Sequence, residues 1–289
     1  LDLEKRLKDG TIEKPTNVVM IQCVGAREGA GGIRKYCSKI CCSIAVKNAL
    51  SIKEKFPDTE IFILYRDMRT YGVDFEALYR KARENLVYFI RYDERHSPQV
   101  ETLSNGKLAV TVYDDLINET LRLNADLVVL ATPLVQTEDA KELSKLLKVP
   151  LTADGFFLEA HVKLRPVDFA TDGIFVCGTA HSPKTISESV AQAYATASRA
   201  AIPMALGQVK TEAITAYVDE RLCTGCGTCV KLCAYSAIRK NERGVANVND
   251  ALCKGCGVCA ASCPEKAVNM RHFSDKQILA EATAALGGA

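Results

Sequence analysis

The stretch Cys223-Thr224-Gly225-Cys226-Gly227-Thr228-Cys229-Val230-Lys231-Leu232-Cys233 returns at Cys253-Lys254-Gly255-Cys256-Gly257-Val258-Cys259-Ala260-Ala261-Ser262-Cys263-Pro264. Both copies read C-x2-C-x2-C-x3-C. Three thiolates spaced two residues apart wrap one face of an iron–sulfur cube, while the fourth sits on the following helical turn and points to the other cube. The spacing therefore groups Cys223, Cys226 and Cys229 with Cys263, and Cys253, Cys256 and Cys259 with Cys233.

Aligning Val218–Ile238 with Val248–Val268 gives a repeat of period 30 in which the cysteines, both interleaved glycines, a Val, a Leu and an Ala recur. Such a repeat is expected to fold as two interlocked halves. The stretch resembles the bacterial two-cluster ferredoxin module, which implies two [4Fe-4S] clusters. It departs from that pattern at Ala234, where the second copy has Pro264. Structural zinc is the competing reading, although its ligands usually come as CxxC pairs rather than as runs of four.

The chain is 289 residues long, 48% hydrophobic and 25% charged, with mean hydropathy of zero, as in an ordinary globular protein of two domains. A net charge of +2 gives no reason to expect nucleic-acid binding or a charged membrane surface. No apolar run approaches the ~20 residues a bilayer span needs. Thirteen cysteines without a targeting segment point to a reducing cytoplasm in which thiols serve as metal ligands. The chain begins Leu-Asp-Leu-Glu, and a piece of a longer or split polypeptide is expected.

From the N-terminus, residues 1–16 read as a polar helix and loop. Val18–Ile21 reads as a buried parallel strand that ends in the glycine-bearing loop Gln22-Cys23-Val24-Gly25. A helix is expected from about Ser38 to Lys55 and a second strand at Glu60–Arg66, completing a β-α-β unit. A dinucleotide-binding protein carries G-x-G-x-x-G in that loop; here Gly29-x-Gly31 meets Arg34, and the fingerprint is missing. In its place stand Cys23, Cys37, Cys41 and Cys42. With 37 and 41 one helical turn apart, both are expected to reach an ion near Cys23, whereas Cys42 is rotated by ~100° and joins only if the helix start is distorted. The alternative is that Cys41 and Cys42 are small buried packing residues. Further on, the pattern predicts a helix at Val73–Glu84, a strand at Val87–Arg91, a hairpin of 98–103 with 108–113 across Asn105-Gly106, a strand at Leu127–Thr132 and a helix at Asp139–Leu147. An Ala-rich helix is expected at Ser189–Ala201, a linker over 203–216 that includes Val209-Lys210-Thr211-Glu212, and an amphipathic helix at Asp275–Leu286 before a Gly-Gly-Ala tail.

The run Ile21-Gln22-Cys23-Val24-Gly25, with Tyr36-Cys37-Ser38 and Cys41-Cys42, is similar to the middle of the A subunit of heterodisulfide reductase and its relatives. That resemblance implies a thioredoxin-reductase-like fold in which Cys23, Cys37, Cys41 and Cys42 hold a third, non-ferredoxin [4Fe-4S] cluster. Likewise Thr171–Ile186 resembles the C-terminal FAD motif of the thioredoxin-reductase class. This places Gly178, Thr179, Ala180, Lys184, Thr185 and Ile186 against the flavin, although Thr179 replaces the motif's Asp. A cation at Lys184 would favour an anionic reduced flavin; otherwise it is a solvated loop lysine. Where flavoprotein reductases have Ala-Thr-Gly on returning to the FAD domain, this chain has Pro133. Cys177, expected in an apolar strand, reads as a packing thiol.

The expected architecture is α/β: a Rossmann-type, thioredoxin-reductase-like partial flavoprotein fold over 1–206, then an α+β ferredoxin-like 2[4Fe-4S] domain over 207–289. The resemblance covers the later half of the family's plan, so FAD is expected to be shared with another chain or a missing N-terminal half. It implies an electron-transfer subunit that works with other subunits of a heterodisulfide reductase-like complex and with ferredoxin, in a setting of flavin-based electron bifurcation. Two further classes stand beside it: an NAD(P)H-dependent flavin oxidoreductase with a ferredoxin tail, and a non-enzymatic iron–sulfur redox module.

Overall fold

Strand β1 (Asn17–Ile21) is buried on both sides, because its alternate residues face two different layers. Val18 and Met20 join Ala45, Val46, Ala49, Ile52, Ile61 and Ile63 under the helices, whereas Val19 and Ile21 pack with Leu64, Ile90, Val110 and Val112 on the opposite face. The helical layer consists of α1 (Asp2–Lys8), α2 (Cys41–Lys55) and α3 (Val73–Glu84). Beside β1 runs β2 (Glu60–Tyr65), and beside β2, after α3, β3 (Val87–Arg91). With β7 (Leu127–Leu130) they form a parallel sheet of order β3-β2-β1-β7. The other face is covered by an antiparallel meander of β4 (Gln99–Thr102), β5 (Leu108–Asp114) and β6 (Glu119–Ala125). Asp126 fastens the end of the meander to the start of β1. Its carboxylate accepts the backbone N–H groups of Thr16 (2.8 Å) and Asn17 (3.1 Å), which together with Lys107 hold its carboxyl below the usual range. Two further helices, α4 (Ala140–Leu147) and α5 (Ile186–Leu206), follow β7 along the chain.

This computed structural model describes residues 2–29, 31–208 and 213–287. The chain divides into two compact units. One comprises Leu1–Lys141, Leu151–Leu158 and Val176–Tyr194; the other comprises Glu142–Pro150, Glu159–Phe175 and Ala195–Ala289. In the second unit the repeat is visible as crossed pairing. Strand β8 (Ala216–Val218), which opens the first copy, pairs antiparallel with β11 (Val268–Met270), which closes the second. Strand β9 (Ile238–Lys240) pairs with β10 (Ala246–Val248). Short helices α6 (Thr228–Leu232) and α7 (Val258–Ala261) carry the third cysteine of each copy into a shared core with Ala216, Ile238, Ala246 and Val268.

Four expectations are corrected. The helix expected from Ser38 begins at Cys41, because Lys39 has a left-handed backbone (φ 63°) that an α-helix excludes. Cys177 lies in no strand: residues 174–177 contribute a single bridge from Phe175 to Asp168 and then a 3-10 turn at Gly178–Ala180. Helix α5 runs through Pro203 into the expected linker, at the cost of one N–H donor, while residues 209–212 of that linker lie outside the described residues. The fourth concerns residues 119–125, left without an element in the sequence reading, which form strand β6. Its residues are mostly exposed or half-buried, and it is held by its register with β5. The C-terminal helix α8 (Asp275–Ala285) buries none of its side chains, Ile278 and Leu279 included; the last two residues of the expected tail lie outside the described residues.

The parallel sheet should be sensitive to loss of volume at its centre. Ile63→Ala, at a fully buried position, is expected to destabilise the first unit by about 2–5 kcal/mol, to be read from the unfolding midpoint in urea.

Candidate metal centres

In the C-terminal repeat the glycines fix where the thiols go. Gly225 and Gly255 have φ of +69° and +64°, and a Cβ at either would stand 2.5 Å from the Gly244 carbonyl oxygen or 2.4 Å from that of Ile214. Each cysteine loop thus passes backbone against backbone, where only glycine fits. Two cavities result. One is lined by Cys223, Cys226, Cys229 and Cys263; the other by Cys253, Cys256, Cys259 and Cys233. The structure therefore brings together the two sets of four that the spacing groups, each with three thiols from one copy and one from the other.

The surroundings favour sulfur in its charged form at some positions and oppose it at others. Ala216 N–H donates to Cys253 Sγ (3.4 Å), Ala237 N–H donates to Cys233 Sγ (3.3 Å), and Thr228 Oγ1 lies 3.5 Å from Cys226 Sγ. The Thr228 hydroxyl and then its backbone amide hold the exposed Cys226 thiol below its ordinary range, with Lys240 acting in the same direction. Burial pushes Cys229 and Cys259 up. A positively charged metal body in the cavity would remove that penalty.

The spread of the sulfurs bears on the size of that body. Four thiolates around a tetrahedral zinc at about 2.3 Å stand roughly 3.8 Å from one another. Among the described residues no three cysteine sulfurs approach mutually within 4.8 Å; the one group of three ligating atoms that does is Asp93, His96 and Asp115 on the surface. As they stand, the cysteine sets are spread more widely than the ligands of a tetrahedral zinc site.

The second candidate site lies at the carboxyl end of β1. Cys23 follows the buried Gln22 in a left-handed conformation (φ 61°), which turns the chain out of the sheet. Cys37 arrives on a loop, where its sulfur accepts the Lys39 N–H (3.3 Å), and Ser38 Oγ accepts the Leu134 N–H (2.9 Å). Cys41 and Cys42 then open α2. The expected helical-turn relation of Cys37 to Cys41 does not exist, since the helix starts only at Cys41; the loop does the work assigned to the helix face. The four thiols still act on one another. Burial pushes Cys23 up, Arg27 opposes it, and Cys42 and Cys37 add to it. Cys41 is pushed up by its hydrogen bond to Cys42, by burial, and by the other three thiols; Cys42 is held down by that bond, by the Arg69 N–H and charge, and by Arg27. Cys41 also lines a cavity of about 520 Å³ between α2 and β7, which Gln22 and Asn48 help to form.

Sequence reasoning passes over Arg27, whose left-handed backbone (φ 56°) and 19% exposed side chain place a guanidinium against Cys23. Its signal is the absence of a glycine where a phosphate cradle would need one. The residues expected near a flavin form one loop of the first unit. Gly178 (φ +64°) donates its N–H to Gln192 Oε1 (2.8 Å), and Thr179 and Ala180 are exposed. Lys184 Nζ bonds Ser182 Oγ (2.5 Å) and His181 Nδ1 (3.0 Å). Thr185 caps α5, ahead of the exposed Ile186: its N–H donates to Glu188 Oε2 (2.8 Å) and its Oγ1 accepts the Glu188 N–H (3.2 Å). Glu188 also pairs with Lys39 (3.1 Å), which ties the start of α5 to the loop between Cys37 and Cys41.

Together these features define an iron–sulfur protein in which a two-cluster module accompanies an α/β unit with thiols in its nucleotide loop. Residues 216–270 match the 4Fe-4S dicluster domain family. Over 98% of its length the chain is 45% identical to the A subunit of the H(2):CoB-CoM heterodisulfide,ferredoxin reductase of Methanothermobacter marburgensis, and over 96% it is 46% identical to the iron-sulfur A subunit of the CoB–CoM heterodisulfide reductase of Methanocaldococcus jannaschii. The chain belongs to the A-subunit family of heterodisulfide reductase, and it spans 42% of the length of each of these relatives. Thioredoxin reductase from T. acidophilum is 15% identical, with 71% of this chain and 56% of that one covered and a TM-score of 0.43, a likeness too distant to carry an argument.

The close backbone approach gives a direct test. Gly255→Ala is expected to cost at least ~1–2 kcal/mol, the penalty of a left-handed backbone for an L-residue, before any clash with Ile214; an unfolding midpoint equal to the parent's would show the approach to be wrong.

Proposed function

We propose that the chain is an electron-transfer part of an oxidoreductase like heterodisulfide reductase, holding three [4Fe-4S] clusters and contributing one side of an FAD site. The observation that carries this reading is the grouping of twelve of the thirteen cysteines: two sets of four each line one cavity, and the thiols of Cys23, Cys37, Cys41 and Cys42 act on one another. Cys223, Cys226, Cys229 and Cys263 would hold one cluster, Cys253, Cys256, Cys259 and Cys233 the next, and Cys23, Cys37, Cys41 and Cys42 the third. The two domains of the sequence reading, 1–206 and 207–289, would then carry one and two clusters.

FAD, when bound, supplies the exchange between two-electron and one-electron chemistry. Gly178 to Ile186 would offer it a backbone turn and a helix start, with Lys184 supplying a cation. The Lys39–Glu188 pair keeps that turn beside the third thiol set. Another chain or segment would supply the flavin's adenosine end. By the names of the relatives, the partners would be further subunits of a heterodisulfide reductase complex and ferredoxin; the cysteine-rich composition suits the cytoplasm, and bifurcation at the flavin would divide electrons between a low-potential and a disulfide-type acceptor. No helix among the described residues is long and apolar enough to cross a membrane. A hydride-accepting NAD(P)H enzyme is disfavoured, because the loop that would cradle a pyrophosphate is occupied by thiols and by Arg27.

Protein purified without oxygen is expected to carry about twelve iron atoms per chain, measured by metal analysis. About eight would return the Cys23 set to packing, and zinc in place of iron would end the electron-transfer reading. Cys263→Ala is expected to alter the electron paramagnetic resonance of the cluster held by Cys223, Cys226 and Cys229 while leaving the Cys23 set's signal intact. An unchanged spectrum would refute the exchange of the fourth ligand between copies.

A further inference from the structure

Arg27 is built into its place from several directions. Its N–H donates to the Tyr36 carbonyl (3.0 Å), and its own carbonyl accepts Arg66 Nη1 (2.6 Å), so the left-handed backbone is held on both sides. Its Nη2 pairs with Asp67. The Asp67 backbone carbonyl lies 3.8 Å from the Cys42 sulfur, so the residue that pairs with the guanidinium also sits beside a cysteine of the set. The remaining terminal nitrogen, Nη1, is fully buried without a hydrogen bond of ordinary geometry, and the guanidinium as a whole interacts with the Cys23 sulfur. An N–H of a cation left unbonded in the interior is costly, and the neighbouring polar surface is the sulfur of Cys23. An anionic, sulfur-rich group fits that position.

We propose that Arg27 is a positioning residue that sets the reduction potential of the third cluster, by directing its buried Nη1–H at the sulfur surface formed around Cys23. This rests on the reading of Cys23, Cys37, Cys41 and Cys42 as cluster ligands. A [4Fe-4S] cube with four thiolates gains one negative charge when it takes up one electron. A fixed guanidinium stabilises the more negative state more than the less negative one, so it raises the potential. Burial strengthens the effect by excluding water, and Asp67 keeps the guanidinium from swinging to solvent.

The test uses the whole chain, purified without oxygen and titrated with dithionite under electron paramagnetic resonance, with the two ferredoxin-type clusters as internal references. Arg27→Gln is expected to retain twelve irons and to lower the midpoint of the third cluster, with a tenfold or greater drop in its reduced-to-oxidised ratio at fixed potential, equal to about 59 mV for one electron. The reference midpoints stay in place. Arg27→Lys, which keeps the charge but not the second terminal nitrogen, is expected to fall between parent and Arg27→Gln, and it decides the matter should Arg27→Gln lose iron. A third-cluster midpoint unchanged in Arg27→Gln, or an iron-retaining Arg27→Lys with a midpoint as low as that of Arg27→Gln, would overturn the proposal while leaving the cluster assignment standing. Eight irons in the parent protein would overturn both.

Discussion

The structure depends on what happens where β1 leaves the sheet. A central parallel strand must release its chain into a loop at its carboxyl end, next to the start of the following helix, the place where ligands of such sheets bind. In nucleotide-binding proteins of this topology, helix amides fill that place with phosphate. Here Cys23 takes the left-handed turn itself, Lys39 takes a second one just before α2, and the two turns point Cys23, Cys37, Cys41 and Cys42 toward one another. Two non-glycine residues in that conformation cost of order 1–3 kcal/mol each, a strain that the buried sheet beneath them can hold.

The ferredoxin-type module solves a related problem by other means. It has little apolar core of its own: its one cluster of buried residues holds six small or medium side chains, two of them cysteines. Its loops are shaped by glycine, and its strands are only three residues long. So small a core gives little stability alone, which makes metal binding part of folding rather than an addition to it.

Much of this is legible in the sequence because the chemistry of a cluster constrains spacing along the chain. The period of 30, the two sets of four and the hairpin across Asn105-Gly106 all follow from local pattern, and α3 and β3 fall where the apolar periodicity places them. What escapes depends on backbone conformation or on distant partners. Nothing in Ser38-Lys39-Ile40 announces that Lys39 turns left-handed, so the sequence pattern starts the helix too early. The strand β6 is held by its register with β5 and shows little apolar alternation of its own. Arg27 looks like any loop arginine until Tyr36, Arg66 and Asp67, up to forty residues away, converge on it.

The crossed ribbons of the C-terminal repeat carry a last implication. Because β8 closes against β11 and β9 against β10, the outer ribbon and the inner one each join one strand from either copy, and each thiol set also borrows one member from the other copy. Neither half can stand as a unit, and a disturbance at one thiol set reaches the wall of the other. Disruption of either ribbon should therefore unsettle both thiol sets in a single step rather than in two successive losses.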